Sequence, residues 1–100
     1  MNTIFRKLSA MPYAQAFVEA LDDGSVHLFS YTTHVASVDK DGWLTVYGLY
    51  SMTTRKHISA FVKEYAAPLT FQNAKMCFTD NVRINCHTGE VVHNDQSHLL

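Results

Sequence analysis

Residues 48–58, Gly-Leu-Tyr-Ser-Met-Thr-Thr-Arg-Lys-His-Ile, constrain this chain more than any other stretch. Ser51, Thr53 and Thr54 are residue types whose side-chain oxygens accept a bond from an orphan backbone N–H and so open a helix. Behind them, Ile58, Phe61, Val62, Tyr65 and Ala66 recur at i, i+3, i+4, i+7 and i+8, the spacing of one buried helix face. Arg55, Lys56, Ser59, Lys63 and Glu64 take the opposite face. Pro68 stops the helix, because its ring disfavours helical geometry in the residue before it.

Everything ahead of this junction reads as strand. Residues 43–48 alternate, with Leu44 and Val46 on one face and Trp43, Thr45 and Tyr47 on the other. Asp39-Lys40-Asp41-Gly42 is a turn rich in residues that bond their own backbone, and residues 32–38 before it form a β-branched run. Residues 14–21 are ambiguous: the alanines suit a helix, whereas the Asp22-Asp23-Gly24 ending, followed by residues 26–31, suits a hairpin. The hairpin is preferred. Ile4, Phe5 and Leu8 fit a short amphipathic turn at the N-terminus.

After Pro68, residues 75–78 are a short apolar run ahead of a Thr79-Asp80-Asn81 turn. Residues 82–86 and 90–92 flank His87-Thr88-Gly89 as a C-terminal hairpin. From about residue 94 the chain turns polar and is expected to fray. The expectation is one α+β domain over residues 1–100: an antiparallel β-sheet, one main amphipathic helix packed on it, and a C-terminal β-hairpin.

A net charge of −1 argues against strong non-specific phosphate binding. No apolar run reaches membrane-spanning length, and the first residues show no secretory pattern, so a cytoplasmic protein without a membrane partner is expected. Cys77 and Cys86 are then reduced thiols serving as small apolar residues.

The candidate sites are few. His57, in the first helical turn beside Ser51, Thr53 and Thr54, is expected to help fix the strand-to-helix junction. Ser51, His57 and Asp22 or Asp41 make a catalytic triad only on paper, because no nucleophile-elbow sequence supports it. Cys77, Cys86, His87, His93 and His98 lack the paired spacing of a zinc site, and the four glycines form no phosphate loop. No catalytic residue, metal or cofactor is therefore expected. Phe29 and Tyr31 share a face of one strand, and Trp43 and Tyr47 a face of another. One helix can cover only one side of the sheet, so these four aromatics must meet a partner, a second copy, or an N-terminal segment folded back through Phe5, Leu8 and Met11. Arg55, Lys56 and Lys63, with Lys75 and Arg83 nearby, are the candidate phosphate contacts.

Two motifs carry a resemblance: Phe29-Ser30-Tyr31-x-Thr33-x-Val35-Ala36, and Gly48-x-Tyr50-Ser51-x-Thr53-Thr54-x-x-His57-Ile58. Together they resemble small uncharacterised proteins encoded by bacteriophages and mobile elements. Ser30-Tyr31-Thr32-Thr33 also echoes Ser51-Met52-Thr53-Thr54. The resemblance implies a non-enzymatic protein that contacts a host protein, in the manner of inhibitors of CRISPR and other defence complexes. A homodimer, or a small nucleic-acid-binding accessory protein using the basic helix face, is the other expectation.

Overall fold

The computed structural model describes residues 3–94. Seven strands, β1 (Thr3–Lys7), β2 (Ala16–Leu21), β3 (Val26–Ser30), β4 (Thr33–Val38), β5 (Trp43–Val46), β6 (Val82–Asn85) and β7 (Val91–His93), lie side by side in chain order. Every neighbouring pair is antiparallel. Between β5 and β6 the chain forms α1 (Met52–Tyr65) and α2 (Phe71–Thr79) before returning to pair beside β5. The fold is α+β, with β6 and β7 as the C-terminal hairpin.

Both helices lie on one face. α1 packs on β3 and β4, and α2 packs on β5 and β6. The period-2 alternation sends Val18, Leu28, Ala36, Val38, Leu44, Val46 and Ile84 inward, where Ile58, Phe61, Val62, Ala74 and Cys77 meet them. Phe61, Leu28, Leu44 and Ile58 are wholly buried, each contributing about 1.5–3 kcal/mol relative to exposure.

Three expectations need correction. Ile4 and Phe5 lie in an edge strand and not in an amphipathic turn: β1 pairs with β2, Phe5 stands opposite Glu19, and both apolar residues stay exposed. The N-terminal segment does not fold over the aromatic face either, because Leu8 is buried in the helix-side core and Phe5 belongs to the open side. Thirdly, residues 75–78 belong to a second helix. Asn73 Oδ1 accepts from the Thr70 backbone N–H at 2.9 Å and lies 3.2 Å from Thr70 Oγ1, closing the first turn as a capping box does. His98 and the segment expected to fray lie outside the described residues, apart from Asn94.

Candidate functional site

The two motifs meet at one place. β3 and β4 are joined by the tight turn Tyr31-Thr32, with Tyr31 at φ 59°, in the left-handed region a bulky residue seldom occupies. The Tyr31 N–H is tied down by the Gln15 carbonyl at 2.8 Å. A register shift at Leu28/Phe29 leaves Val35 as the extra residue of a bulge, and Ser30 then pairs with Thr33 across the turn. Ser30, Tyr31, Thr33, Tyr50, Ser51 and Thr54 line a cleft of about 440 Å³ between this turn and the start of α1. The echoed segments, Ser30–Thr33 and Ser51–Thr54, are its two walls.

The floor of the cleft is a chain of hydrogen bonds. Ser51 is the N-cap of α1, its hydroxyl accepting from the Thr54 N–H at 3.1 Å. Thr54 Oγ1 lies 3.2 Å from Ser51 Oγ and 3.4 Å from Ser30 Oγ. Ser30 Oγ lies 2.8 Å from His57 Nδ1. Ser30, Thr54 and His57 are all buried. Burial disfavours the imidazolium and lowers the His57 pKa, so the ring is neutral near pH 7. Of the four residues expected to fix the junction, Ser51, Thr54 and His57 do so. Thr53 is exposed and stands outside the network. Ser30 was not foreseen, because its partner lies 27 residues away.

Ser30 and His57 have the separation of a nucleophile and its base. Both are buried, and the contact joins the end of β3 to α1. Asp22 and Asp41, the acids of the paper triad, sit in the β2–β3 and β4–β5 turns, at the opposite end of the strands from Ser30.

The second feature is the outer face of the sheet. Lys7, Phe17, Phe29 and His34 stand opposite one another across β1 to β4 in a single row. Lys7 Nζ lies 4.5 Å from the centre of the Phe17 ring. His34 stacks on Phe29, with centroids 5.0 Å apart, and meets Tyr47 at 4.7 Å. Tyr47 Oη bonds Ser37 Oγ at 3.0 Å, and Arg83 lies over Trp43 at 5.2 Å. His27 Nδ1 is 3.1 Å from His34 Nε2. Desolvation, followed by repulsion from His27, lowers the His34 pKa, while Glu19 opposes the shift. Phe29, Trp43 and Tyr47 are therefore on one face as expected, but Tyr31 is not. The strand ends at Ser30, and the left-handed turn carries Tyr31 to the cleft, 6.0 Å from the His57 ring.

The basic residues do not form one patch. Arg55 and Lys56 border a shallow hollow with Met52, Ser59 and Phe71, none of which lines the cleft. Lys63 is about two turns further along α1, and Arg83 is on the opposite side of the sheet. Cys77 and Cys86 are buried free thiols, with Cys77 pushed up to about 11 by desolvation. Among the described residues no three His, Cys, Asp or Glu side chains gather around a point that could hold a metal ion. Nor is any described helix long and apolar enough to cross a membrane.

Residues 3–76 match DUF8033, a family of unknown function. The chain belongs to that family. The match runs from β1 into α2, so it takes in both walls of the cleft and the aromatic row, and stops short of the β6–β7 hairpin. No curated protein and no solved structure matches the chain.

Proposed function

We propose that the protein is a non-enzymatic interaction protein acting by protein–protein contact through the outer face of its sheet. The observation that carries this reading is the aromatic row of Phe17, Phe29, His34 and Tyr47, flanked by Trp43, on a face that neither helix covers. Aromatic residues with few free charges are the composition of an interface core. Lys7 and Arg83 lie over rings of this face and bring positive charge to it, so a partner with an apolar centre and an acidic rim is complementary. The resemblance of the two motifs to phage and mobile-element proteins makes a host defence complex, met in the host cytoplasm, the first partner to look for. Nucleic-acid contact through Arg55, Lys56 and Lys63 is the competing reading.

The test is retention of partners from nuclease-treated host lysate by three folded proteins: wild type, Trp43→Ala/Tyr47→Ala, and Arg55→Glu/Lys56→Glu. The aromatic pair is expected to lose the partner, since truncating aromatic anchors commonly costs about 2 kcal/mol or more. The charge reversal should keep it, and retention should survive raised salt because apolar burial is not screened. Sedimentation of the same proteins reads out self-association through this face. Normal retention by the aromatic variant, with loss in the charge-reversed one, would refute the proposal.

A further inference from the structure

We propose that the cleft between the β3–β4 turn and α1 binds a nucleotide unit, with the base and ribose in the cleft and the phosphate toward Arg55. This site lies on the helix side of the sheet and does not rest on the reading of the outer face.

The lining is chemically uniform. All six lining residues, Ser30, Tyr31, Thr33, Tyr50, Ser51 and Thr54, carry a hydroxyl and none carries a charge. A hydroxyl has one donor hydrogen and two acceptor lone pairs. Ser30 and Thr54 are buried and bonded to one another, so the hydroxyls open to a ligand are those of Tyr31, Thr33, Tyr50 and Ser51, which suit a ligand that offers both donors and acceptors, as the edges of a base and the hydroxyls of a ribose do. An ion placed wholly within this cleft would meet no counter-charge. At about 440 Å³, its volume falls among small-molecule sites, which run from about 300 to 1,000 Å³.

Two rings stand at the mouth. Tyr31 is 54% exposed and Tyr50 is 67% exposed, which leaves both available to stack on a planar ligand. Their positions are held by the backbone: Tyr31 by its left-handed turn, and Tyr50 by a ring that lies against Gly48, where any Cβ would collide with it. A cation adds to the pattern. Arg55 stands one helical turn beyond Ser51 of the cleft wall, the i, i+4 spacing that puts two side chains on one face, and the first turn of α1 holds no acidic residue. Arg55 also borders a separate hollow of about 270 Å³ with Met52, Lys56, Ser59 and Phe71. A free sugar would have no use for the cation. A nucleotide uses the rings, the hydroxyls and the cation together.

The source of the nucleotide is either a free mononucleotide or a single strand, and two arms separate them. Equilibrium dialysis with AMP and UMP measures the first. Fluorescence anisotropy with a labelled 12-nucleotide oligo(dT) and its RNA counterpart, from 50 to 200 mM salt, measures the second. Binding in either arm is expected to weaken about tenfold or more in Tyr31→Gly and Tyr50→Ala. Glycine accepts the positive φ at position 31, and Tyr50 is exposed, so both variants keep the fold; circular dichroism verifies this. A Gly48→Ala protein, which displaces the Tyr50 ring without deleting it, gives an independent variant. Arg55→Glu/Lys56→Glu should weaken binding and flatten the salt dependence. Trp43→Ala, on the other side of the sheet, should leave binding unchanged. Absence of binding in both arms overturns the proposal. So does binding that responds to the charge reversal but not to Tyr31→Gly, Tyr50→Ala or Gly48→Ala, since that would be a basic helix surface and not this cleft.

Discussion

The hydrogen bond between Ser30 and His57 ties the end of β3 to the second turn of α1, and its removal has a magnitude that follows from burial. In Ser30→Ala the buried imidazole loses the 2.8 Å partner of its Nδ1. A net hydrogen bond is worth about 0.5–1.5 kcal/mol, but a buried polar atom left unsatisfied costs about 1–3 kcal/mol. We therefore expect Ser30→Ala to lose about 2 kcal/mol, roughly 10 °C in Tm for a domain of this size. In His57→Leu the Ser30 hydroxyl keeps Thr54 Oγ1 at 3.4 Å, so it is not left alone. The double variant replaces both polar partners by apolar groups, which is far less costly than orphaning either one. The two single losses should then sum to about 1–2 kcal/mol more than the double loss. Urea unfolding at pH 7.5, where His57 is neutral, measures all three variants. Additivity within about 0.5 kcal/mol would show that the contact does not couple sheet and helix.

Two further outcomes are expected. Ser51→Ala should destabilise by about 1 kcal/mol through loss of the α1 cap, whereas exposed Thr53→Ala should change stability by less than about 0.5 kcal/mol, both by urea midpoint. The folded-state pKa values of His57 and His34 are both lowered from 6.5, so below that pH the unfolded chain binds protons first. Their contribution to stability is full above pH 6.5 and is lost as pH falls through the lower folded values. His57→Leu/His34→Gln should flatten this dependence between pH 8 and 5, and a slope as steep as that of wild type would contradict it.

Much of the fold was legible where one local rule decided the matter. The alternation of residues 43–46 gave β5 its two faces, and Asp22-Asp23-Gly24 correctly favoured a hairpin over a helix for residues 14–21. α2 escaped notice because it is only nine residues long and its inward positions, Ala74 and Cys77, are small. Its start was written in Thr70 and Asn73, with Asn73 standing where a capping box usually has Glu or Gln. Ile4 and Phe5 misled for a different reason: an adjacent apolar pair has no period, and at a sheet edge both residues remain exposed.

The cleft could not be read from the sequence even though every residue of it was in view. Each wall follows from a local rule, a tight turn after Ser30 and an N-cap at Ser51, and neither rule refers to the other. What joins them is the meander, which lays β3 and β4 under the first turns of α1, and that arrangement is a property of the whole sheet. Once it is made, the echo of Ser30–Thr33 in Ser51–Thr54 acquires a physical meaning without any internal repeat. Both segments supply short hydroxyl side chains to one chain of hydrogen bonds that runs from exposed Ser51 to buried His57. Alanine at these positions would leave the cleft's shape nearly intact and strip its polarity. The residues of its walls therefore serve two ends that substitution can separate: Ser30 holds the sheet to the helix and Ser51 caps that helix, while the exposed rings of Tyr31 and Tyr50 take no part in those bonds.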